Sequence, residues 1–290
     1  MPGGWDSYGQ AVNADGPIAW YRFNELLAGQ AVTAGSQDPQ NFCFDSAGGG
    51  QTTGPLGSTP DGGGNFLQYG SAVLSNQQSL LSTNGIPGNT GAGDAGGSAT
   101  FPQTGTTSLA NIITGGSSLP SILQPTAAIT VAGWCKPAVM TTGSVKQVMA
   151  AYGSDASSLS AYNLYHSGST AINHVFAFSI NIGGALKTAT AALPALVVGT
   201  VYYVVGTYDG VNVRVYVNGV LQGTTAATGA ISYASVASLG LAMGNDPSNT
   251  DANLQGSLDE VAIYNKALTA ARITYQYRQG STYLPFVWNH

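Results

Sequence analysis

The sequence predicts an all-β protein, a two-sheet antiparallel β-sandwich with one short C-terminal helix. Three observations carry this: apolar residues at every second position, two hairpin dipeptides in succession, and a composition poor in charge and rich in turn formers. Charged residues make up 7% of the chain and hydrophobic residues 43%, with 40 glycines among 290 residues. β-branched side chains suit pleated strands, while Gly and Asn suit tight turns. The apolar share is enough for a sizeable core.

The pattern is clearest in the C-terminal half. Residues 201–208 read as a buried strand ending at Asp209-Gly210, a hairpin dipeptide. Val211, Val213, Val215 and Val217 then alternate with Asn212, Arg214 and Tyr216; Asn218-Gly219 makes a second tight turn, and Val220-Leu221-Gln222 starts the return strand. Phe176, Phe178, Ile180 and Ile182 alternate with Ala177, Ser179 and Asn181. Ile129, Val131, Gly133 and Cys135 alternate with Thr130, Ala132, Trp134 and Lys136, and Val261 and Ile263 point inward near the end. Residues 17–23 read as an N-terminal strand. The one segment that looks helical runs from Thr269, an N-cap, to about Arg278, with Ile273 and Tyr277 on one face.

The expected organisation is one domain over residues 1–280 and an apolar tail over 281–290. Residues 82–121 form a Gly/Ser/Thr-rich excursion whose strand candidates are 99–101 and 110–113. It reads either as a surface excursion or as an arm that packs on a neighbouring subunit.

The eight Lys and Arg are scattered and the net charge is -5, which argues against nucleic acid and anionic membrane as partners. No segment reaches the length of apolar chain that membrane insertion needs. No cationic, apolar signal opens the chain, so synthesis in a cytosol without the usual secretion route is expected. Cys43 and Cys135 sit in apolar stretches, and either two buried thiols or one bridge fits them.

Several segments in order resemble laminin-G-like (concanavalin-A-like lectin) jelly-roll domains. Tyr8, Val12, Asp15, Pro17, Ala19, Trp20-Tyr21-Arg22-Phe23 and Glu25 are similar to the opening of that family. Phe44-Asp45-Ser46-Ala47-Gly48 is similar to its Asp-x-Ser-Gly turn, residues 129–137 to its Trp-containing central strand, and residues 207–219 to its most distinctive hairpin. Residues 256–264 with Ala267-Leu268-Thr269 resemble its closing strand and helix. Arg272 stands where the family usually has Glu, so the reciprocal capping box is missing. The resemblance implies a jelly roll, and Asp45 with Asp259 as holders of a structural calcium ion, which takes oxygen ligands. The loop 245–253 is also dense in oxygen donors but lacks the Gly and terminal Glu of an EF-hand.

Glycoside hydrolysis normally needs two carboxylates across a cleft. Glu25 and Glu260, the only glutamates, fall where the family has structural residues, and the adjacent Asp259 and Glu260 are expected to point to opposite sheet faces. His166, His174 and His290 show no metal-ligand spacing. A non-enzymatic protein is therefore expected. For glycan binding, Tyr152, Asp155, Tyr162, Tyr165 and His166 offer rings and polar groups in loops. For docking on a partner, Leu284, Phe286 and Trp288 offer an apolar tail. Low charge, little lysine and the missing signal point to a component of an extracellular assembly: a bacteriophage virion protein (capsid decoration, head fibre or tail), homo-oligomeric and made in the host cytoplasm. Phage proteins commonly carry this type of domain, an analogy that raises the expectation. A stand-alone carbohydrate-binding or adhesion module, extracellular or at a cell surface, is the alternative, and a hydrolase a remote third.

Overall fold

The structure, a computed structural model, describes residues 7–23, 42–43, 67–69, 74–78, 97–101, 112–114, 121–140, 146–153, 160–168, 170, 173–192, 194–233, 240–244 and 254–281. In chain order the elements begin with helix α1 (Ser7–Ala14), β1 (Ala19–Tyr21), β2 (Phe42–Cys43), β3 (Leu67–Tyr69), β4 (Leu74–Gln78), β5 (Gly97–Phe101) and β6 (Ile112–Thr114). They continue with β7 (Ile129–Pro137), β8 (Gln147–Tyr152), β9 (Tyr162–Ser167), β10 (Val175–Ile182), β11 (Ala185–Thr190) and β12 (Tyr202–Tyr208). The last are β13 (Asn212–Val217), β14 (Val220–Ala226), β15 (Leu241–Met243), β16 (Gly256–Tyr264) and helix α2 (Ala270–Ser281).

The strands form two antiparallel sheets. Sheet A has the order β14-β13-β12-β7-β16-β5-β4, with β1 also paired to β16; sheet B has the order β11-β10-β9-β8-β15-β6-β3-β2. The period-two expectation holds. Ile129, Val131 and Cys135 of β7 and Val213, Val215 and Val217 of β13 meet Phe176, Phe178 and Ile180 of β10 in one core between the sheets. Gly206 of β12 sits directly against Phe178: a Cβ there would lie 2.1 Å from the ring. Cys135 is a free, buried thiol, so the bridge to Cys43 is not made.

The hairpin turns are as expected. Asn218 and Gly219 take φ of 51° and 80°, the left-handed region that a tight turn between twisted strands demands. Asp209 Oδ1 accepts from the backbone of Val211 and Asn212 and closes the preceding turn. At one side the sandwich is zipped shut, because Ala192 N donates to Gln222 O and Thr225 Oγ1 to Thr188 O between β14 and the edge of sheet B.

Two features differ from the sequence reading. A second helix, α1, precedes the N-terminal strand, which itself shortens to Ala19–Tyr21. Tyr8, Ala11 and Val12 face inward at helical spacing, and with Ile273 of α2 they cover Trp20, Trp134, Tyr203 and Tyr264 on the outer face of sheet A. Tertiary packing, not local propensity, holds so short a helix. The 82–121 excursion carries strands at both of its strand candidates, supplying β5 to sheet A and β6 to sheet B.

Candidate recognition surface and buried polar centres

Both described helices pack on sheet A, yet the outer-face side chains of β8–β10 in sheet B are also buried: Asn163 is 0%, Ser179 1% and Tyr165 6% exposed. Alternation sends Leu164, Phe178 and Ala189 into the core and turns Asn163, Tyr165, Ser179 and Thr188 outward. Cross-strand register then lines up a row of hydroxyls. Ser179 Oγ donates to Tyr165 Oη at 3.3 Å and lies 2.8 Å from Thr188 Oγ1. The floor is small and apolar, with Ala151, Val148 and Ala177 beside Tyr165, and Lys146 Nζ sits 5.1 Å from the Tyr165 ring centre. The face opens toward β11, where Thr188 is half-buried and Thr190 exposed.

Asn163 lies in this row, paired across to Ser179 and to Ala151. It is 0% exposed, yet neither its Oδ1 nor its Nδ2 makes a hydrogen bond. An orphaned carboxamide costs roughly 1–3 kcal/mol, so its retention in a sheet of small residues calls for a reason beyond packing.

Of the residues expected to bind glycans, Tyr165 alone lies on this face. Tyr152 and Tyr162 point the other way, into the core, at 0% exposure. Tyr152 Oη accepts from Gln124 Nε2 at 2.6 Å, and Tyr162 Oη donates to the Leu123 carbonyl. Burial holds the Tyr162 hydroxyl well above its ordinary pKa, so it stays a neutral donor. Neither ring is open to stack on a sugar, a correction of the sequence reading. His166 is also interior, edge-on to Phe176. Asp155, Asp45, Glu25, the loop 245–253 and the tail residues Leu284, Phe286 and Trp288 lie outside the described residues.

The carboxylates form a separate centre on the opposite side of the molecule. β16 bulges against β7, with Asp259 opposite Trp134 and Ala262 opposite Ala132, so two residues face Gly133 alone. Glu260 takes a left-handed φ of 53° there. The bulge breaks the expected alternation: Asp259 shares a face with Trp134, and Glu260 accepts from Trp20 Nε1 at 2.6 Å on that same face. Glu260 also pairs with Arg22 Nε at 3.0 Å, and both side chains are buried. The other described carboxylates are likewise engaged, Asp15 by Arg272 and Asp209 by Arg214. Among the described residues no group of three or more His, Cys, Asp and Glu gathers as a metal site.

A family model described as the concanavalin A-like lectin/glucanases superfamily matches residues 109–274, more than half of the chain. The chain belongs to this superfamily. Among solved structures, the binding domain of Paraclostridial mosquitocidal protein 1 is similar with a TM-score of 0.56 and 9% identity, over 91% of this chain and 52% of that one. The receptor binding domain of botulinum neurotoxin type G is similar with a TM-score of 0.53 and 12% identity, over 90% of this chain and 51% of that one. The chain thus spans about half the length of these two binding domains, and at such identities the likeness is one of fold. A heptameric SAP-like pentraxin from Limulus polyphemus is also similar, with a TM-score of 0.44, 16% identity, and coverage of 61% of this chain and 79% of that one. No curated protein matches the chain.

Proposed function

We propose that this superfamily member is a non-enzymatic surface-recognition protein that binds glycans through the outer face of sheet B. The orphaned Asn163 carboxamide, set beside the Tyr165–Ser179–Thr188 hydroxyl row, carries this reading. Amides and hydroxyls over a small apolar floor suit a sugar, which offers hydroxyls to pair. The engaged carboxylates on the far side support binding rather than hydrolysis, since no described acid pair faces a cleft. The toxin binding domains with the same fold, one of them named a receptor binding domain, point the same way.

The finer reading is a bacteriophage virion component that decorates the particle and meets host glycans, made in the host cytoplasm and assembled as an oligomer. Low charge and the exposed aliphatic residues Val197, Val198, Val220 and Leu221 support a role in an assembly. Calcium held by Asp45 and Asp259 belongs to the same proposal. A glycan array, run with and without EGTA, tests the binding reading: specific binding supports it, dependence on calcium supports the ion, and no binding to any glycan overturns it. Mass spectrometry of purified virions tests the assembly.

A further inference from the structure

The turn between β13 and β14 carries the dipeptide Asn218-Gly219. In this pair an asparagine carboxamide is most open to attack by the next peptide nitrogen, because glycine puts no side chain in the way. Hydrogen bonds to two other elements hold the turn still. Asn218 Oδ1 accepts from Tyr203 N at 2.9 Å, and Asn218 N donates to the Tyr203 carbonyl at 2.8 Å, so side chain and main chain are both tied to β12. Gly219 O accepts from Thr274 Oγ1 of α2 at 2.8 Å. Gly219 also packs closely on that helix: a Cβ on it would lie 3.1 Å from Thr274 Cα and 3.2 Å from the Tyr277 ring. Asn218 is half-buried and Gly219 buried. Strand, turn and helix thus share the peptide unit on which the carboxamide would react.

We propose that Asn218 is a deamidation site that the fold keeps closed, and that release of the β13–β14 turn from Tyr203 and α2 opens it. In the open turn the Gly219 nitrogen loses its proton to hydroxide and attacks Asn218 Cγ. The N–Cγ bond forms, the Cγ–Nδ2 bond breaks, and ammonia leaves with a proton from water. Water then opens the cyclic imide at either carbonyl. Breaking the bond from Gly219 N to Cγ leaves aspartate; breaking the bond from Gly219 N to the Asn218 main-chain carbon leaves isoaspartate. Closing the imide needs rotation about the Cα–Cβ and Cα–C bonds of Asn218. The Tyr203 N bond to Oδ1 fixes the first, and the contacts of Asn218 N and Gly219 O on either side fix the second. The two products differ in what they do to the turn. Aspartate tolerates the left-handed φ of 51°, and its carboxylate still accepts from Tyr203 N. Isoaspartate adds a main-chain carbon to a two-residue turn, whose length sets the register of β13 on β14 and the seat of Gly219 on α2. The site does not depend on the glycan reading.

The test is incubation of the full chain in mildly alkaline buffer, folded and, in parallel, unfolded in guanidinium chloride at the same pH. Peptide mass spectrometry then measures aspartate and isoaspartate at position 218. The unfolded chain is expected to convert at least about tenfold faster, since reaction through the open turn scales with its population. Equal rates would overturn the proposal, as would no conversion in the unfolded chain. Thr274→Val removes the bond to the Gly219 carbonyl and is expected to speed conversion of the folded chain by about two- to tenfold, with the circular dichroism unchanged. An unchanged rate would overturn the gating by α2. If that variant does not fold, hydrogen exchange of the wild type below its unfolding transition decides. Conversion that rises with exchange of the Tyr203 amide as denaturant is added supports the closed site; conversion that proceeds while that amide stays protected overturns it.

Discussion

Arg272 of α2 grips Asp15, just past the end of α1, with its Nε 2.8 Å from Oδ1 and 3.1 Å from Oδ2. The residue that replaces the family's capping Glu thus works as a clamp between the two helices, and burial of Asp15 with the Gln276 donor completes it. Arg272 Nη2 adds bonds to Asp15 Oδ2 and to the Ala11 carbonyl. Because the Arg272 side chain is 37% exposed, solvent screens the pair. Arg272→Gln is expected to cost about 1 kcal/mol in urea unfolding, and added salt is expected to narrow the difference from wild type.

Glu260 is held by Trp20 and Arg22 in full burial, so removing its charge takes this carboxylate away from the buried guanidinium. Glu260→Gln is expected to lower stability by about 3–5 kcal/mol, measured by denaturant unfolding. The double change Arg22→Met with Glu260→Leu is expected to recover most of that loss, since both members of the buried pair are removed together.

Gly206 leaves room for Phe178, whose ring would meet an added Cβ at 2.1 Å. Gly206→Ala is expected to destabilise by about 1–3 kcal/mol. In a double-mutant cycle with Phe178→Leu the two losses should fall short of additive, because the smaller side chain relieves the clash.

Asn163 predicts the opposite sign. With both amide atoms unpaired and buried, Asn163→Leu is expected to raise the thermal midpoint, by the equivalent of about 1 kcal/mol, while weakening glycan binding. A variant that loses stability would mean that the carboxamide is satisfied in the free protein.

Much of this architecture was legible in the sequence because its signals are local. The β12–β14 meander follows from alternating valines and two turn dipeptides, each read within a few residues. Helix α1 was missed because eight residues carry too few periods, and its stability comes from α2 and sheet A. The bulge at Glu260 was invisible for a similar reason: a left-handed glutamate is set by Arg22 and Trp20, over 200 residues away in the chain. The candidate surface was half legible. Tyr162 and Tyr165, three apart in one strand, must face opposite ways, and Asn163 must share the face of Tyr165; the alternation was there to separate them. What it lacked was the cross-strand register that brings Ser179 and Thr188 alongside.

The central claim, recognition through the outer face of sheet B, is tested most directly by mapping amide chemical shifts while an array-selected glycan is added. The account predicts changes centred on Asn163, Tyr165, Ser179 and Thr188, lost in the Asn163→Leu variant. Saturable changes confined to the α1/α2 side, with sheet B unmoved, would contradict it.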